Sequence, residues 1–209
     1  MGNLTPLLVD LQEGPFLAQV KERLATGDDP TQLINECRDG MEQIGKLFET
    51  QEYFISDLMM AANMFSTAME DIKPHLKGAN IGAGEKIVVG TVQGDIHDIG
   101  KNILIAVLSC NGFEVIDLGV DVPPERFVRA IQESGAKLVG LSALLTTSFL
   151  SLKHTVEVLD AAGLRPKVKI MVGGGPVNEQ VRIFAGADGT ARDAIGAVTL
   201  AKQFAREVA

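Results

Sequence analysis

The amino-acid sequence predicts a parallel, doubly wound α/β domain behind an all-helical module. Three observations carry that prediction. Apolar residues recur at steps of three and four over roughly the first eighty residues. A glycine-rich stretch then breaks the pattern, and beyond it short β-branched runs alternate with amphipathic segments to the end of the chain.

Taken in order, Leu4-Leu7-Leu8-Leu11 and Phe16-Leu17-Val20-Leu24 mark two short helices. Gly27-Asp28-Asp29-Pro30 ends the second, and Pro30 suits the first turn of a third, where its missing N–H would have no intrahelical acceptor. Ile34, Cys37, Met41, Ile44 and Phe48 form the apolar stripe of that helix; Phe54, Leu58, Ala62, Phe65, Met69 and Ile72 form the stripe of a fourth. Residues 1–80 are therefore expected to form a four-helix bundle. A linker, 81–85, follows within the glycine-rich run Gly78–Gly84, and 86–209 make the α/β domain.

In that domain Lys86–Val92 reads as a strand followed by a helix from about Gly100 to Cys110, and Phe113–Leu118 as a strand followed by Pro124–Ser134. Leu138–Leu144 leads to Ser148–Ala161, and Val168–Val172 to Asn178–Phe184. A brief strand, Ala187–Gly189, precedes the last helix, Asp193–Val208. Strand–helix alternation gives right-handed crossovers, hence a five-stranded parallel sheet covered on both faces, Rossmann-like and specifically flavodoxin-like. Ligands of such sheets bind beyond the carboxyl ends of the strands, near the reversal of strand order. Three loops reach that edge: Gly94–Gly100, Ser142–Ser148 and Gly173-Gly174-Gly175.

With 46% apolar residues the chain can build two cores, and its net charge of −8 argues against nucleic acid and anionic membranes as partners. No run approaches the ~20 apolar residues of a membrane span, and Met1–Glu13 lacks the basic start of a signal peptide. A cytoplasmic protein is expected. Cys37 and Cys110 lie far apart on apolar helical faces, which suits buried free thiols better than a disulfide or a metal pair.

The chemistry concentrates in Gly94-Asp95-Ile96-His97-Asp98-Ile99-Gly100. His97 can ligate a metal through one nitrogen while the other donates to Asp95, which fixes the tautomer and raises basicity. One imidazole cannot hold zinc, and neither His75 nor His154 has cysteines or carboxylates at ligand spacing. A metal that arrives with four macrocyclic ligands needs only one more. The alternative reading makes His97 an ordinary polar residue at a helix start, with Asp95 and Asp98 as caps, as in an acidic phosphoacceptor pocket.

Asp95-x-His97-x-x-Gly100, then Ser142-x-Leu144, then Gly173-Gly174 resembles the motif triplet of cobalamin-binding domains, with 41 residues between Gly100 and Ser142 and 28 between Leu144 and Gly173. Glu52–Ala62 is similar to the helical module preceding that domain in methionine synthase and in the corrinoid proteins of methanol, methylamine and methoxy-aromatic methyltransferase systems. Gly186-Ala187-Asp188-Gly189 with Asp193-Ala194 resembles the closing segment of those small proteins, except that Thr190 stands where many carry tyrosine.

The resemblance implies a cobalamin or related corrinoid bound base-off/His-on. His97 would be the lower axial ligand to cobalt, Asp95 would accept from its other nitrogen, and Ser148 would hold Asp95. Gly94, Asp98, Ile99 and Thr146 would flank the cofactor. Gly100, Gly173 and Gly174 would leave a slot for the displaced nucleotide tail, with Ser142 bonding the benzimidazole and Leu144 lining the slot. Leu58, Met59, Met60, Met64 and Phe65 of the helical cap would cover the methyl face. The implied function is a methyl carrier cycling between Co(I) and methyl-Co(III), with methylcobalamin formed during turnover and no turnover by the chain alone. A substrate-specific methyltransferase would load it, a second methyltransferase would unload it to tetrahydrofolate or a thiol, and a reductive activator would maintain it. The alternative within the resemblance is the small subunit of an adenosylcobalamin-dependent mutase.

Overall fold

A computed structural model of the chain describes residues 2–75 and 85–208. The linker expected at 81–85, and the Gly78–Gly84 run around it, lie outside the described residues except for Glu85. The chain divides into two compact units.

The first unit holds α1 (Leu4–Val9), α2 (Glu13–Ala25), α3 (Pro30–Glu49) and α4 (Ile55–Ile72), with a short 3₁₀ turn at Lys73–His75. Asn3 and Asp29 cap α1 and α3 by accepting the N–H groups of Thr5 and Thr31, and Pro30 occupies the first turn of α3. The predicted stripes of the first three helices supply the buried residues Leu4, Leu8, Phe16, Val20, Ile34, Met41 and Ile44. In α4 the buried stripe is Leu58-Ala61-Met64-Ala68-Ile72, so the expected Ala62, Phe65 and Met69 lie at its margin, and Phe54 precedes the helix and is exposed. One ionic cluster sits among the buried residues. Buried Arg23 donates to Asp28 at 2.6 Å and to both oxygens of Glu36 at 2.6 and 3.1 Å, while Glu36 accepts the Leu4 N–H. That cluster ties α2, α3 and the start of α1 together, and the two acids hold the guanidinium above its ordinary pKa against the opposing effect of burial.

In the second unit, β1 (Lys86–Thr91), β2 (Glu114–Asp117), β3 (Leu138–Ser142), β4 (Lys169–Gly173) and β5 (Gly189–Thr190) pair in the order β2-β1-β3-β4-β5, every pair parallel. The helices between and after them are α5 (Ile99–Cys110), α6 (Pro124–Ser134), α7 (Phe149–Ala161), α8 (Glu179–Ala185) and α9 (Ala194–Val208). This is the predicted five-stranded flavodoxin-like sheet. Strand order reverses between β1 and β3, and the register aligns Thr91, Ser142 and Gly173 in one row at the carboxyl edge.

The glycines show which helices cover which face. A Cβ on Gly90 would press on Phe127 of α6, whereas one on Gly189 would press on Leu200 and Phe204 of α9. Alternation then places Ser142 and Gly173 on the α9 side and the Leu141–Val172–Thr190 row on the α6–α8 side. The α6–α8 side is filled by a core that includes Val88, Phe127, Val139, Leu152, Ile170 and Val181.

Strands end earlier than expected where a side chain or loop takes the ladder's partners. The strand predicted to reach Leu144 stops at Ser142, because the Leu144 N–H turns to Asp95. The last strand begins at Gly189 rather than Ala187, because the Asp188 carboxylate intercepts the Ile170 N–H that a ladder would use. Both cysteines are buried free thiols, with pKa values pushed up to about 12 by burial. Among the described residues, no helix is long and apolar enough to cross a membrane.

Lys101, in the first turn of α5, is buried and grips both oxygens of Asp117 at the end of β2 at 2.7 and 2.8 Å. The ammonium also donates to Asn102 Oδ1 at 2.9 Å, but Asp117 is the carboxylate that balances its charge, and Asp117 itself is 40% exposed. Asp117→Ala is expected to cost about 3 kcal/mol by stranding a buried charge, and Lys101→Met only about 1 kcal/mol because the freed carboxylate rehydrates. Urea unfolding of the two variants measures that asymmetry.

Candidate functional site

The loop that carries His97 is held at several points by backbone-directed bonds. Asp95 N–H donates to Val92 O at 3.1 Å, and Asp95 O accepts from Asp121 N–H at 2.9 Å. The Asp121 carboxylate takes the Gly94 N–H at 2.7 Å, and buried Thr91 donates its hydroxyl to His97 O at 3.0 Å. Gly94 has φ of 84°, so the turn there favours a residue without a side chain. Asp121, also left-handed at 51°, is the strained residue of the facing loop. Neither Thr91 nor Asp121 was expected in the site. The sequence signal for Asp121 is an aspartate just ahead of Pro123, a turn former of ordinary strength.

Asp95 is wholly buried. Its Oδ1 lies 2.7 Å from His97 Nδ1 and accepts the His97 N–H at 3.1 Å; its Oδ2 accepts the N–H groups of Leu144 at 2.7 Å and Leu145 at 3.0 Å. Burial pushes its pKa up, but the donors from Leu145, His97 and Leu144 outweigh burial and leave it well below the ordinary aspartate range. An ionised carboxylate only accepts, so Nδ1 carries the imidazole proton and Nε2 presents a lone pair. The His97 side chain is 46% exposed.

Ser148 does not hold Asp95. Its hydroxyl is buried without any hydrogen-bond partner, and the Leu144 and Leu145 amides hold Asp95 Oδ2 instead. Leu58 and Met64 are likewise corrected: both are fully buried and offer no surface to a cofactor, whereas Met59 and Met60 are exposed. Thr190 belongs to the row facing α6–α8, with its hydroxyl buried and unpaired, so it stands on the opposite face of the sheet from Ser142 and Gly173.

The remaining expected residues gather at one edge. Ser142 ends β3 beside Gly173 of β4, and Leu144 and Thr146 follow in the same loop. Asp98 precedes α5 and accepts weakly from the Asn102 amide at 3.4 Å; Ile99 and Gly100 open the helix. Ile96, Ile99, Val120, Leu144 and Leu145 are exposed around His97 and form an apolar rim of the kind that marks a ligand site.

A corrinoid fits these residues on three counts. The rim suits the apolar edge of a macrocycle. A Cβ on Gly100 or Gly173 would meet nothing within 4 Å, so the backbone there borders open space. Finally, among the described residues no three His, Cys, Asp or Glu side chains gather to hold a metal ion, so His97 can contribute one ligand to a metal that brings its own.

Comparison with known proteins agrees with this chemistry. Residues 85–199 match a family model described as a B12 binding domain, and residues 3–73 match a second model of the same description. A corrinoid protein of Desulfitobacterium hafniense (strain Y51) is 42% identical over 210 residues, covering 97% of this chain and 96% of that protein. Dimethylamine corrinoid protein 1 of Methanosarcina acetivorans is 37% identical over 206 residues, with 97% and 96% covered. Among solved structures, the methanol:cobalamin methyltransferase complex of Methanosarcina barkeri aligns at a TM-score of 0.83 and 28% identity, covering 96% of this chain and 77% of that one. A cobalamin-binding protein of Desulfitobacterium hafniense DCB-2 aligns at 0.62 and 39% identity, with 96% of both chains covered. Matched in both modules and along almost its whole length, the chain belongs to the B12-binding family of corrinoid proteins.

Proposed function

We propose that the chain is a corrinoid-dependent methyl carrier. The observation that carries this reading is His97, a lone imidazole on an apolar rim with Nδ1 committed to a buried carboxylate. When bound, the corrinoid supplies a cobalt centre that takes up a methyl group and gives it to an acceptor.

The chain's own residues supply position and proton control. His97 Nε2 would hold the cobalt, base-off/His-on, and Asp95 would orient the ring and strengthen its donation. Asp95, held ionised, would keep the ring proton on Nδ1 and the ring in its ligating orientation whether or not the metal is bound. Gly100 and Gly173 leave room for the nucleotide tail and Ser142 bonds its base. Ile96, Ile99 and Leu144 keep water from beneath the ring, with Gly94, Asp98 and Thr146 framing the loops. Of the α4 residues expected to meet the corrin, exposed Met59 and Met60 are retained and buried Leu58 and Met64 are not.

Loading and unloading fall to partner enzymes: a substrate-specific methyltransferase, and a second methyltransferase acting on tetrahydrofolate or a thiol, with a reductive activator. Relatives named for dimethylamine and trimethylamine, and a structural relative in a methanol:cobalamin methyltransferase complex, support that division of labour.

The first test is an anaerobic EPR titration with cob(II)alamin. Protein labelled with ¹⁵N-histidine should convert the nitrogen triplet on cobalt to a doublet, and His97→Ala should abolish the signal; a triplet that persists under labelling would reject His97 as the ligand. Asp95→Asn should weaken that ligation while leaving the fold, so the doublet diminishes relative to wild type at equal corrinoid occupancy.

The depressed pKa of Asp95 has a definite sign in stability. Its contribution is complete above the unfolded-state value, about 3.9, and fades as pH falls towards the lower folded-state value. The stability gap between wild type and Asp95→Asn should be flat above about pH 5 and narrow in stronger acid, as read from urea midpoints across pH; a gap that widened on acidification would contradict the assignment.

A further inference from the structure

Gly173 and Gly174 are adjacent, yet they face different surroundings. A Cβ on Gly173 would meet nothing within 4 Å. On Gly174, whose φ is 134°, it would fall 1.9 Å from the carbonyl oxygen of Ala143 and 2.8 Å from the carbonyl carbon. Ordinary contacts lie near ~3.5 Å, so the Ala143 peptide rests directly against the bare Cα of Gly174.

The Ala143 peptide belongs to the turn that holds Asp95. Ala143 N–H donates to Gly173 O at 3.0 Å, and the next two N–H groups, those of Leu144 and Leu145, converge on Asp95 Oδ2. The other carboxylate oxygen holds His97 Nδ1. Asp95's backbone is anchored independently, to Val92 and Asp121, so a displaced turn would move the carboxylate's partners without moving the loop beneath it.

We propose that Gly174 is a positioning residue for His97, acting through the Ala143–Leu145 turn and the Asp95 carboxylate, and that it does not line the slot. The two glycines divide the work. Gly173 leaves space for the nucleotide tail, while Gly174 lets β4's loop and the turn after β3 close to the distance at which two amides can reach Asp95. The tail slot and the lower-ligand pair are thereby joined through three residues of backbone. This assignment rests on the corrinoid reading above for its connection to cobalt, but the effect on the Asp95–His97 bond is independent of it.

The test compares Gly173→Ala and Gly174→Ala with wild type in two states. Without corrinoid, NMR of the ¹⁵N-histidine-labelled chain reads the His97 Nδ1–H proton, strongly downfield while the bond to Asp95 is made. Gly174→Ala should shift it upfield or lose it, and Gly173→Ala should leave it in place. With corrinoid, EPR and absorption titrations use cob(II)alamin and the tail-less cob(II)inamide. Gly173→Ala should lose affinity for cob(II)alamin but keep both its affinity for cob(II)inamide and the histidine nitrogen splitting. Gly174→Ala should lose the splitting with both.

An unchanged Nδ1–H resonance in folded Gly174→Ala would overturn the proposal. If wild type shows the resonance but no histidine splitting on cobalt, the corrinoid reading fails while the resonance still decides the role of Gly174. Should Gly174→Ala not fold, replacing the Leu145 amide by an ester removes one donor to Asp95 without adding a side chain. That variant should shift the same resonance, and no shift would equally overturn the proposal.

Discussion

Everything in the α/β unit's ligand edge depends on a buried carboxylate being kept charged. Asp95 has no exposure to water, so its ionised form persists only because four donors replace hydration, three of them backbone N–H groups. Two consequences follow. The carboxylate binds the loop after β1 to the loop after β3, across the reversal of strand order. It also dictates the imidazole tautomer, because an acceptor-only group forces the proton onto Nδ1 and leaves Nε2 for a ligand.

The sheet makes that arrangement inexpensive. Parallel pairing with β1 beside β3 puts the two loops at neighbouring strand ends, and the register that aligns Thr91, Ser142 and Gly173 brings the third loop level with them. The left-handed residues at this edge are Gly94, Gly119, Asp121 and Gly174, each sitting where one loop turns to meet another. On the α9 side the bare position Gly173 keeps space open, as does Gly100 at the start of α5, whereas on the α6–α8 side Gly90 and the core residues close it. Open space on one face and packing on the other make the two sides of this edge unlike.

Charge burial follows the same rule in both units. Arg23 in the helical unit and Lys101 in the α/β unit are nearly inaccessible, yet each has its carboxylates in contact. Such pairs add little net stability over an apolar substitute, but they are directional, and each ties separate elements together. Lys101 fixes the first turn of α5, immediately after the His97 loop, against the end of β2. The helix can then carry exposed Ile99 and bare Gly100 at its start without relying on them for its anchorage.

Periodicity, turn residues and side-chain chemistry are written in the letters of the chain, and they sufficed for the helical module, the strand–helix alternation, Pro30 at a helix start and the His97–Asp95 pair. What could not be read are the roles of backbone groups. Every residue but proline carries an N–H, so no residue type announces that Leu144 and Leu145, and not the Ser148 hydroxyl, satisfy Asp95. Strand ends blurred for the same reason: a competing carboxylate at Asp188, or a turn towards Asp95, removes ladder bonds without altering the apolar pattern. The three motifs and their meeting at the carboxyl edge of the sheet were determined by the sequence. Tertiary structure alone decided that Gly174 meets a carbonyl and Gly173 open space, that Thr190 faces away, and that Leu58 is buried beside exposed Met59. Those outcomes depend on how close two backbones approach, a distance set by the packing of the whole sheet.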